Sequence, residues 1–416
     1  MFRTLIIALV WPEPNASAAG THMMDLIDAL RPVSETIDFA CTSGPSAYPE
    51  DLDNLGVVKH SIQVNDPDFD FLIKDLNPDL VIFDRFMAEE QFGWRVADIC
   101  PEAIRILNTE DLHGLRKSRQ LQLSGHDLNS SGFVENDVMK RELASIFRSD
   151  LSLIISEFEM DWLQSHARLN EDQLHYFPLL TADSASEGKN KDREFDNRGG
   201  FVMIGNFRHA PNVDAIYFLK EEIWPLIRKM EPSAEVRIYG AYMPENLKKL
   251  DSEQEGFYLM GHAENLSQVF NHARILLAPL RFGAGLKGKL MDAMSQGIPF
   301  VTTTYGMEGF SNFEDVPSAV ADDPGSFAKL AIEMYHDAQR WEKHRLRGFE
   351  FINKYFNRED HLNMLRAGIE NFAEQKNDLR EGNLLGSVFR HQSLQSTKYM
   401  SKWIEEKNRT PISSSE

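Results

Sequence analysis

A glycine-rich stretch at residues 282–304 holds the side chains whose spacing points most directly to chemistry. Gly283 and Gly285 allow a sharp turn, and the helical pattern that begins near Gly285 puts Lys287 in its first turn. A helix N-terminus carries unpaired N–H groups and a positive dipole end, so a lysine there is disfavoured unless an anion binds. We therefore expect a site for a phosphorylated sugar donor; a plain surface helix with solvated lysines is the alternative.

The same helix carries a second lysine, Lys289. Two positions along an α-helix correspond to about 200° of rotation, so Lys287 and Lys289 point away from each other. Both are therefore not expected to face one phosphate. We predict that Lys287, nearer the helix start, faces the diphosphate, and that Lys289 lies on a wetter or acceptor-side face.

A polar cluster at residues 108–119 follows a predicted strand end. Its two carboxylates, one histidine and two arginines can orient sugar hydroxyls or move a proton; they are Glu110, Asp111, His113, Arg116 and Arg119. A helix N-terminus whose acids complement the dipole is the alternative interpretation. We predict that Asp111 and His113 take part in catalysis.

Three further loops follow predicted strands and are candidates for donor binding. Gly20 precedes a helix and lets a phosphate or sugar approach closely, although an ordinary loop has the same composition. Arg208 can pair with a diphosphate in bidentate fashion. Gly261 and His262 can line a nucleobase, although this loop pattern is nonspecific.

Composition excludes several classes of protein. The chain has 416 residues, 42% apolar content and a formal charge of −20, which makes it a poor general binder of nucleic acid. Cys41 and Cys100 lie in apolar segments without metal-ligand spacing and are read as buried thiols. The apolar start at 5–10 is too short for a membrane span and reads as a buried strand. We expect a soluble, cytoplasmic protein without an integral membrane segment.

Short apolar runs alternate with helical patterns along most of the chain, which is typical of parallel sheets covered by helices. We predict two doubly wound α/β domains facing across a cleft, where ligands bind at the carboxyl ends of the strands. The predicted order is a Rossmann-like domain at 1–180, a linker at 181–199, a second Rossmann-like domain at 200–350, a helix at 351–376 packing back to the first domain, and a polar, mobile tail at 377–416.

These motifs, in this order, resemble the family 4 glycosyltransferases of the GT-B fold, which are retaining enzymes that use nucleotide-sugars. The resemblance covers most of the chain and is strongest in the second domain, at residues 201–205, 211–216, 238–240, 278–281, 283–294 and 297–302.

The resemblance implies a role for each part of the site. Asp292 meets the donor ribose, while Arg208, Lys287 and the loop amides of Gly285 and Leu286 meet the diphosphate. The acceptor, a carbohydrate or other hydroxyl compound, sits near His113. The nucleotide-sugar is a co-substrate, and no cofactor or metal is expected.

One departure from the family pattern concerns two glutamates eight positions apart. Ala284 and Asp292 stand at those places. The branch with the Gly-Ala-Gly-Leu-Lys motif commonly lacks the first glutamate, and aspartate at the second place shortens the reach to the ribose. A catalytically silent glycosyltransferase-like scaffold and a sugar-nucleotide epimerase of the same fold therefore remain as alternatives.

Overall fold

The first half of the chain folds into a seven-stranded parallel sheet. The computed structural model describes residues 1–181, 194–317 and 319–409, so most of the predicted linker lies outside the described residues. The strand order is β3-β2-β1-β4-β5-β6-β7. The strands are β1 Phe2–Ala8, β2 Ser34–Cys41, β3 Val58–Ser61, β4 Leu80–Asp84, β5 Ile104–Asn108, β6 Leu151–Ile154 and β7 Leu174–Tyr176.

A second parallel sheet has five strands in the order β10-β9-β8-β11-β12. Its central strands β8 and β11 are buried along their whole length, as their uninterrupted apolar runs predict. Two doubly wound sheets in tandem are therefore confirmed. The strands are β8 Phe201–Ile204, β9 Val236–Tyr239, β10 Phe257–Gly261, β11 Ile275–Ala278 and β12 Phe300–Thr302.

Helices cover both faces of each sheet. Those of the first domain are α1 Ala18–Leu30, α2 Asp68–Leu76, α3 Arg85–Ile99, α4 His113–Leu123, α5 Asp137–Arg148 and α6 Glu157–His166. Those of the second domain are α7 Ala210–Phe218, α8 Trp224–Met230, α9 Glu245–Lys248, α10 Leu266–His272, α11 Gly288–Ser295, α12 Thr304–Met307, α13 Pro324–His336 and α14 Ala338–Tyr355. Among the described residues, no helix has both the length and the hydropathy required to cross a bilayer.

The C-terminal segment returns to the first domain as two long helices, α15 Arg358–Gly382 and α16 Leu384–Arg409. Apolar residues of α15, including Leu365 and Ile369, join the core formed with β1, β2 and α1. Helix α16 packs on α3 and α5, where Glu405 and Ser401 bind the buried guanidinium of Arg95. Within the tail predicted from residue 377, the described residues thus form the end of α15 and α16, held by charged contacts; residues 410–416 lie outside the described residues, and the mobility of the tail stays a prediction.

The carboxyl ends of the central strands of both sheets face one another. Loops and helix N-termini follow these strand ends in each domain, because every parallel strand is connected to the next by a helix. The fold thus places the loops after β1, β4 and β5 opposite those after β8, β9, β10 and β11.

Candidate active site

A cleft of about 840 Å³ separates the two sheets at these strand ends. Loops of both domains line it, in agreement with the predicted position. Gly261 and Gly285 are the predicted site residues that do not line its wall. The predicted residues that do are Gly20, Asp111, His113, Arg208, His262, Gly283, Leu286, Lys287 and Asp292.

Three helix N-termini converge on this cleft. Helix α1 begins after Ser17, whose hydroxyl accepts a hydrogen bond from the Gly20 amide at 3.0 Å. Helix α7 begins after His209, and α11 begins at Gly288. A Cβ atom added to Gly288 would lie 2.7 Å from Cβ of Ala18, so α11 and α1 meet almost end to end. Three positive dipole ends directed at one cavity favour an anion there.

Lys287 lies at the start of α11 but not within its first turn. It is the N-cap residue of a helix that begins at Gly288, so the predicted start near Gly285 was wrong; residues 283–287 form the turn instead. Its ammonium donates hydrogen bonds to the carbonyls of Ala284 at 2.8 Å and Gly285 at 2.7 Å. Burial lowers the pKa of Lys287 to about 8, while the Glu308 carboxylate opposes this shift.

Lys289 lines the same cleft as Lys287. Its ammonium donates a hydrogen bond to Oδ1 of Asn212, on α7 of the second domain, at 2.7 Å. Burial, together with the Lys287 charge, lowers the pKa of Lys289 to about 7. Lys289 is half-buried whereas Lys287 is buried, so the wetter position predicted for Lys289 is confirmed, but the expectation that the two lysines face different surfaces was wrong. The turn carries the Lys287 side chain back beneath the loop, so the 200° separation expected within one helix does not apply.

Asp292 lies one turn into α11 and lines the cleft. No donor among the described residues is hydrogen bonded to its carboxylate. Burial raises the pKa of Asp292 to about 7, since no partner stabilises its ionised form. A half-buried carboxylate without a donor can accept hydrogen bonds from ligand hydroxyls.

Arg208, in the loop after β8, lies at the mouth of the cleft. Its guanidinium stacks on the ring of Tyr242 at 3.5 Å from the ring centroid. The Tyr242 hydroxyl donates a hydrogen bond to Glu13 of the first domain at 2.5 Å, and Ser46 donates a second one to the same carboxylate. Sequence reasoning missed Glu13 and Tyr242, because neither stands in a recognisable motif.

His262 also lies at this mouth. Its ring packs against Tyr48 of the first domain at 4.2 Å between centroids, and Tyr48 in turn meets Tyr242 edge-on. Gly261 has a φ of +78°, a conformation that favours glycine and turns the chain after β10. Gly261 therefore shapes the loop that presents His262.

The first-domain wall carries the predicted acceptor-side residues. Asp111 forms an ion pair with Arg116, and Nε2 of His113 lies 3.6 Å from Oδ1 of Asp111. The Arg116 charge holds the pKa of Asp111 below its usual value despite burial. Burial lowers the pKa of His113 to about 4, so its imidazole is neutral near pH 7. A neutral imidazole beside an ionised carboxylate can accept a hydrogen bond from a hydroxyl group.

Below this wall, Asn108 and Glu110 of the predicted cluster at 108–119 join a buried polar network whose other contacts the sequence did not reveal. His22 on α1 lies 3.1 Å from the carboxylate of Glu110, and Asn108 donates to the same oxygen at 2.9 Å. Arg85 pairs with Asp84 at 3.2 Å. Arg85 and Glu110 have φ values of 66° and 57°, a strained left-handed conformation for side chains of this size. Strain at the ends of two neighbouring strands is typical of a functional site.

Gly20 and Gly285 are required by packing between segments. A Cβ atom on Gly20 would lie 2.3 Å from the carbonyl carbon of Glu13, so this glycine lets the loop after β1 fold over the start of α1. A Cβ atom on Gly285 would lie 2.7 Å from Ile155 and 2.9 Å from Cβ of Asp111. Gly285 therefore brings the glycine-rich loop against the first domain.

No cluster of three or more histidine, cysteine, aspartate or glutamate side chains with metal-binding geometry occurs in the described part of the chain. The lysines and arginines that line the cleft are Arg85, Arg116, Arg208, Lys287 and Lys289. Metal-independent activity stays a prediction.

Comparison with known families and proteins agrees with this geometry. Residues 198–337, most of the second domain, match the family model described as glycosyl transferases group 1. An uncharacterized 44.6 kDa protein in the cps region of Klebsiella pneumoniae is 25% identical over 231 residues. That alignment spans 52% of this chain and 55% of the relative, so it covers about half the length of each.

Solved structures share the fold over nearly the whole chain. HepE of Anabaena, solved in complex with UDP and glucose, has a TM-score of 0.68 and 10% identity over 89% of this chain and 100% of its own. Sucrose-phosphate synthase of Thermosynechococcus elongatus has a TM-score of 0.66 and 15% identity over 89% of this chain and 99% of its own. The predicted GT-B fold is confirmed.

Proposed function

We propose that this protein is a retaining glycosyltransferase, which moves a sugar from a nucleotide-sugar donor to a hydroxyl acceptor. The convergence of α1, α7 and α11 N-termini on a cleft that also holds Lys287, Lys289 and Arg208 carries the proposal. Lys287, Lys289 and Arg208 all belong to the second-domain side of the cleft, in a chain with a formal charge of −20. A local positive site of this kind suits a diphosphate group.

The two lysines support a dianionic ligand in particular. Burial lowers the pKa values of Lys287 and Lys289, and the bonded partners of both ammonium groups are neutral oxygens. A bound diphosphate supplies the missing countercharge and favours the protonated form of both lysines. The free Asp292 carboxylate, deeper along α11, suits the ribose hydroxyls. This places the base of the nucleotide toward His262.

The acceptor belongs on the opposite wall of the cleft, beside Asp111, His113 and Arg116. In the proposed reaction the bond between the anomeric carbon and the leaving phosphate oxygen breaks, and the acceptor oxygen forms a new bond on the same face of the sugar. The departing diphosphate takes the acceptor proton. Positive side chains and helix N-termini stabilise the charge that develops on this leaving group.

The match of residues 198–337 to group 1 glycosyltransferases supports the donor assignment, since the cleft residues on α7 and α11 belong to that segment. HepE was solved with UDP, which makes uracil the first base to test. A panel of donors tests the base and the sugar together.

The test is turnover of UDP-, GDP-, ADP- and dTDP-hexoses, followed by release of the nucleoside diphosphate and by NMR of the anomeric proton. We expect one donor class to be consumed and the product to keep the donor's anomeric configuration. Asn312→Ala, at an exposed contact outside the cleft, serves as the matched control. Inverted product, epimerised donor, or binding without turnover would each contradict the proposal.

A further inference from the structure

We infer that Arg119, on the acceptor-side helix α4, is a positioning residue that holds the donor loop 283–287 in place from the opposite domain. The role of this loop in donor binding rests on the proposed function. The contacts that Arg119 makes with the loop involve no ligand.

Arg119 crosses the domain interface with a buried side chain. Its guanidinium donates to both carboxylate oxygens of Glu308, at 2.6 and 2.5 Å, and to the carbonyl of Gly283 at 2.5 Å. The rings of Tyr305 and Phe158 flank it at 5.3 and 5.5 Å. A bidentate, buried pair with a third bond to the loop backbone fixes both position and orientation.

Glu308 is itself joined to the loop by close packing. It begins a short 3-10 turn, Glu308–Phe310, that follows α12. A Cβ atom on the next residue, Gly309, would lie 2.8 Å from the Gly285 carbonyl oxygen and 3.0 Å from Cα of Leu286. The turn therefore packs against the loop at Gly285 and Leu286, while Arg119 bonds both the turn and the loop carbonyl of Gly283.

Arg119 binds the Glu308 carboxylate, and the charge of this carboxylate also raises the pKa of Lys287. Charged side chains from four segments act on the pKa of Lys287. They are Glu308 on the turn, Arg119 on α4, Glu159 on α6 and Asp111 before α4. Lys289, on α11, adds a fifth. With Arg119 in place, Lys287 stays bound to loop carbonyls.

Helix α4 therefore has two functions. Its N-terminus presents His113 and Arg116 to the cleft, and Arg119 follows three residues after Arg116. Because one rigid helix touches both the acceptor wall and the donor loop, the spacing between the two substrates is set by α4.

The first experiment needs no nucleotide. Hydrogen exchange of amides 283–291 is compared in the full-length protein, Arg119→Met, Arg119→Lys and Asn312→Ala. Asn312 bonds Asp161 across the same interface at 2.9 Å without touching the loop, which makes it the matched control. We expect faster exchange in Arg119→Met, partial recovery in Arg119→Lys and no change in the control. Unchanged exchange in Arg119→Met would overturn the inference.

The second experiment uses UDP, or whichever of GDP, ADP and dTDP the wild type binds. We expect at least about a tenfold rise in Kd for Arg119→Met, with a smaller rise for Arg119→Lys. The alkaline limit of binding should move to higher pH in Arg119→Met and to lower pH in Glu308→Gln, because these changes remove opposite charges beside Lys287. Equal Kd values and an unmoved pH limit would also overturn it. If no nucleotide binds the wild type, the proposed function fails, while the exchange experiment still judges Arg119.

Discussion

The hydroxyl of Tyr242 donates a hydrogen bond to Oε1 of Glu13 at 2.5 Å, and this bond joins the two domains across the mouth of the cleft. Glu13 belongs to the loop after β1, and Tyr242 follows β9. Arg208 stacks on the ring of the same tyrosine. Tyr242 therefore forms both the hydrogen bond between the domains and the contact with the arginine that we assign to the diphosphate. The mouth therefore opens only when this contact breaks.

Removing the Tyr242 hydroxyl should loosen the contact between the domains. Tyr242→Phe keeps the ring under Arg208 but loses a bond to a carboxylate, typically worth about 1.5–3 kcal/mol and less where water has access. Spin labels at Val58→Cys and Met260→Cys, both exposed, report the separation, since natural Cys41 and Cys100 are buried. We expect a broader distance distribution.

The matched control for this experiment is Tyr217→Phe, which removes a surface hydroxyl that accepts from Asn246 within the second domain. Its distance distribution should equal that of the wild type. An unchanged distribution in Tyr242→Phe would show that other contacts alone hold the domains together.

The sequence predicted the second sheet better than the first. Each of the five strands of the second sheet coincides with a short, mainly apolar run, as the alternation of apolar runs and helical patterns predicts. Strand β3, Val58–Ser61, is largely exposed at the sheet edge and has no apolar run, and β7, Leu174–Tyr176, has only three residues. The sequence pattern of each of these two strands is therefore indistinguishable from that of a loop.

The site could be predicted where its residues are local in sequence. Lys287 and Asp292 were found because they share one motif with the glycine-rich turn. Glu13 and Tyr242 were not assigned, and Arg119 was predicted only as a member of the polar cluster at 108–119, because their contacts join residues far apart in the chain. A single sequence contains no signal for such pairs, whereas the fold brings them together at one edge.

Asp292→Asn separates the role of the carboxylate from that of the helix. The pKa of Asp292 is raised to about 7, so its ionisation opposes folding: wild-type stability is lost as pH rises from about 4, the unfolded value, to about 7. In Asp292→Asn the side chain cannot ionise, so this loss of stability does not occur. We expect a higher Tm than wild type at pH 8 and little difference at pH 4.

The same substitution should weaken ligand binding. We expect a loss of about 1–3 kcal/mol in affinity for the nucleoside diphosphate, since a charge-assisted bond to ribose is unmade. Calorimetric titration gives the value, and equal affinity in both proteins would remove Asp292 from the site.

The lowered pKa values of Lys287 and Lys289 predict proton uptake when a diphosphate binds. Both pKa values, about 8 and about 7, lie below the ordinary lysine value, and a bound anion raises them. Affinity should therefore fall as pH rises from 7 to 9. Titrations at pH 8 in buffers of different ionisation enthalpy measure the uptake; a proton count of zero would exclude both lysines from the diphosphate site.

Transfer should survive chelation of divalent metals. The proposal assigns the countercharge of the diphosphate to Arg208, Lys287 and Lys289, with the N-termini of α7 and α11 beside them. We expect the rate of donor consumption in EDTA to equal the rate without it. Activity lost in EDTA and restored by manganese or magnesium would show that a metal supplies this charge.

The most direct test of the central claim is calorimetric titration of UDP, GDP, ADP and dTDP into the wild type, Lys287→Ala, Lys289→Ala and the control Asn312→Ala. Both lysines face one cavity, so we expect each alanine variant to lose about tenfold or more in affinity, or about 1.4 kcal/mol. The control should bind like the wild type. Binding of one nucleoside diphosphate, lost in both lysine variants, is the predicted result; no binding of any of the four, or binding that neither lysine affects, would contradict a nucleotide-sugar site in this cleft.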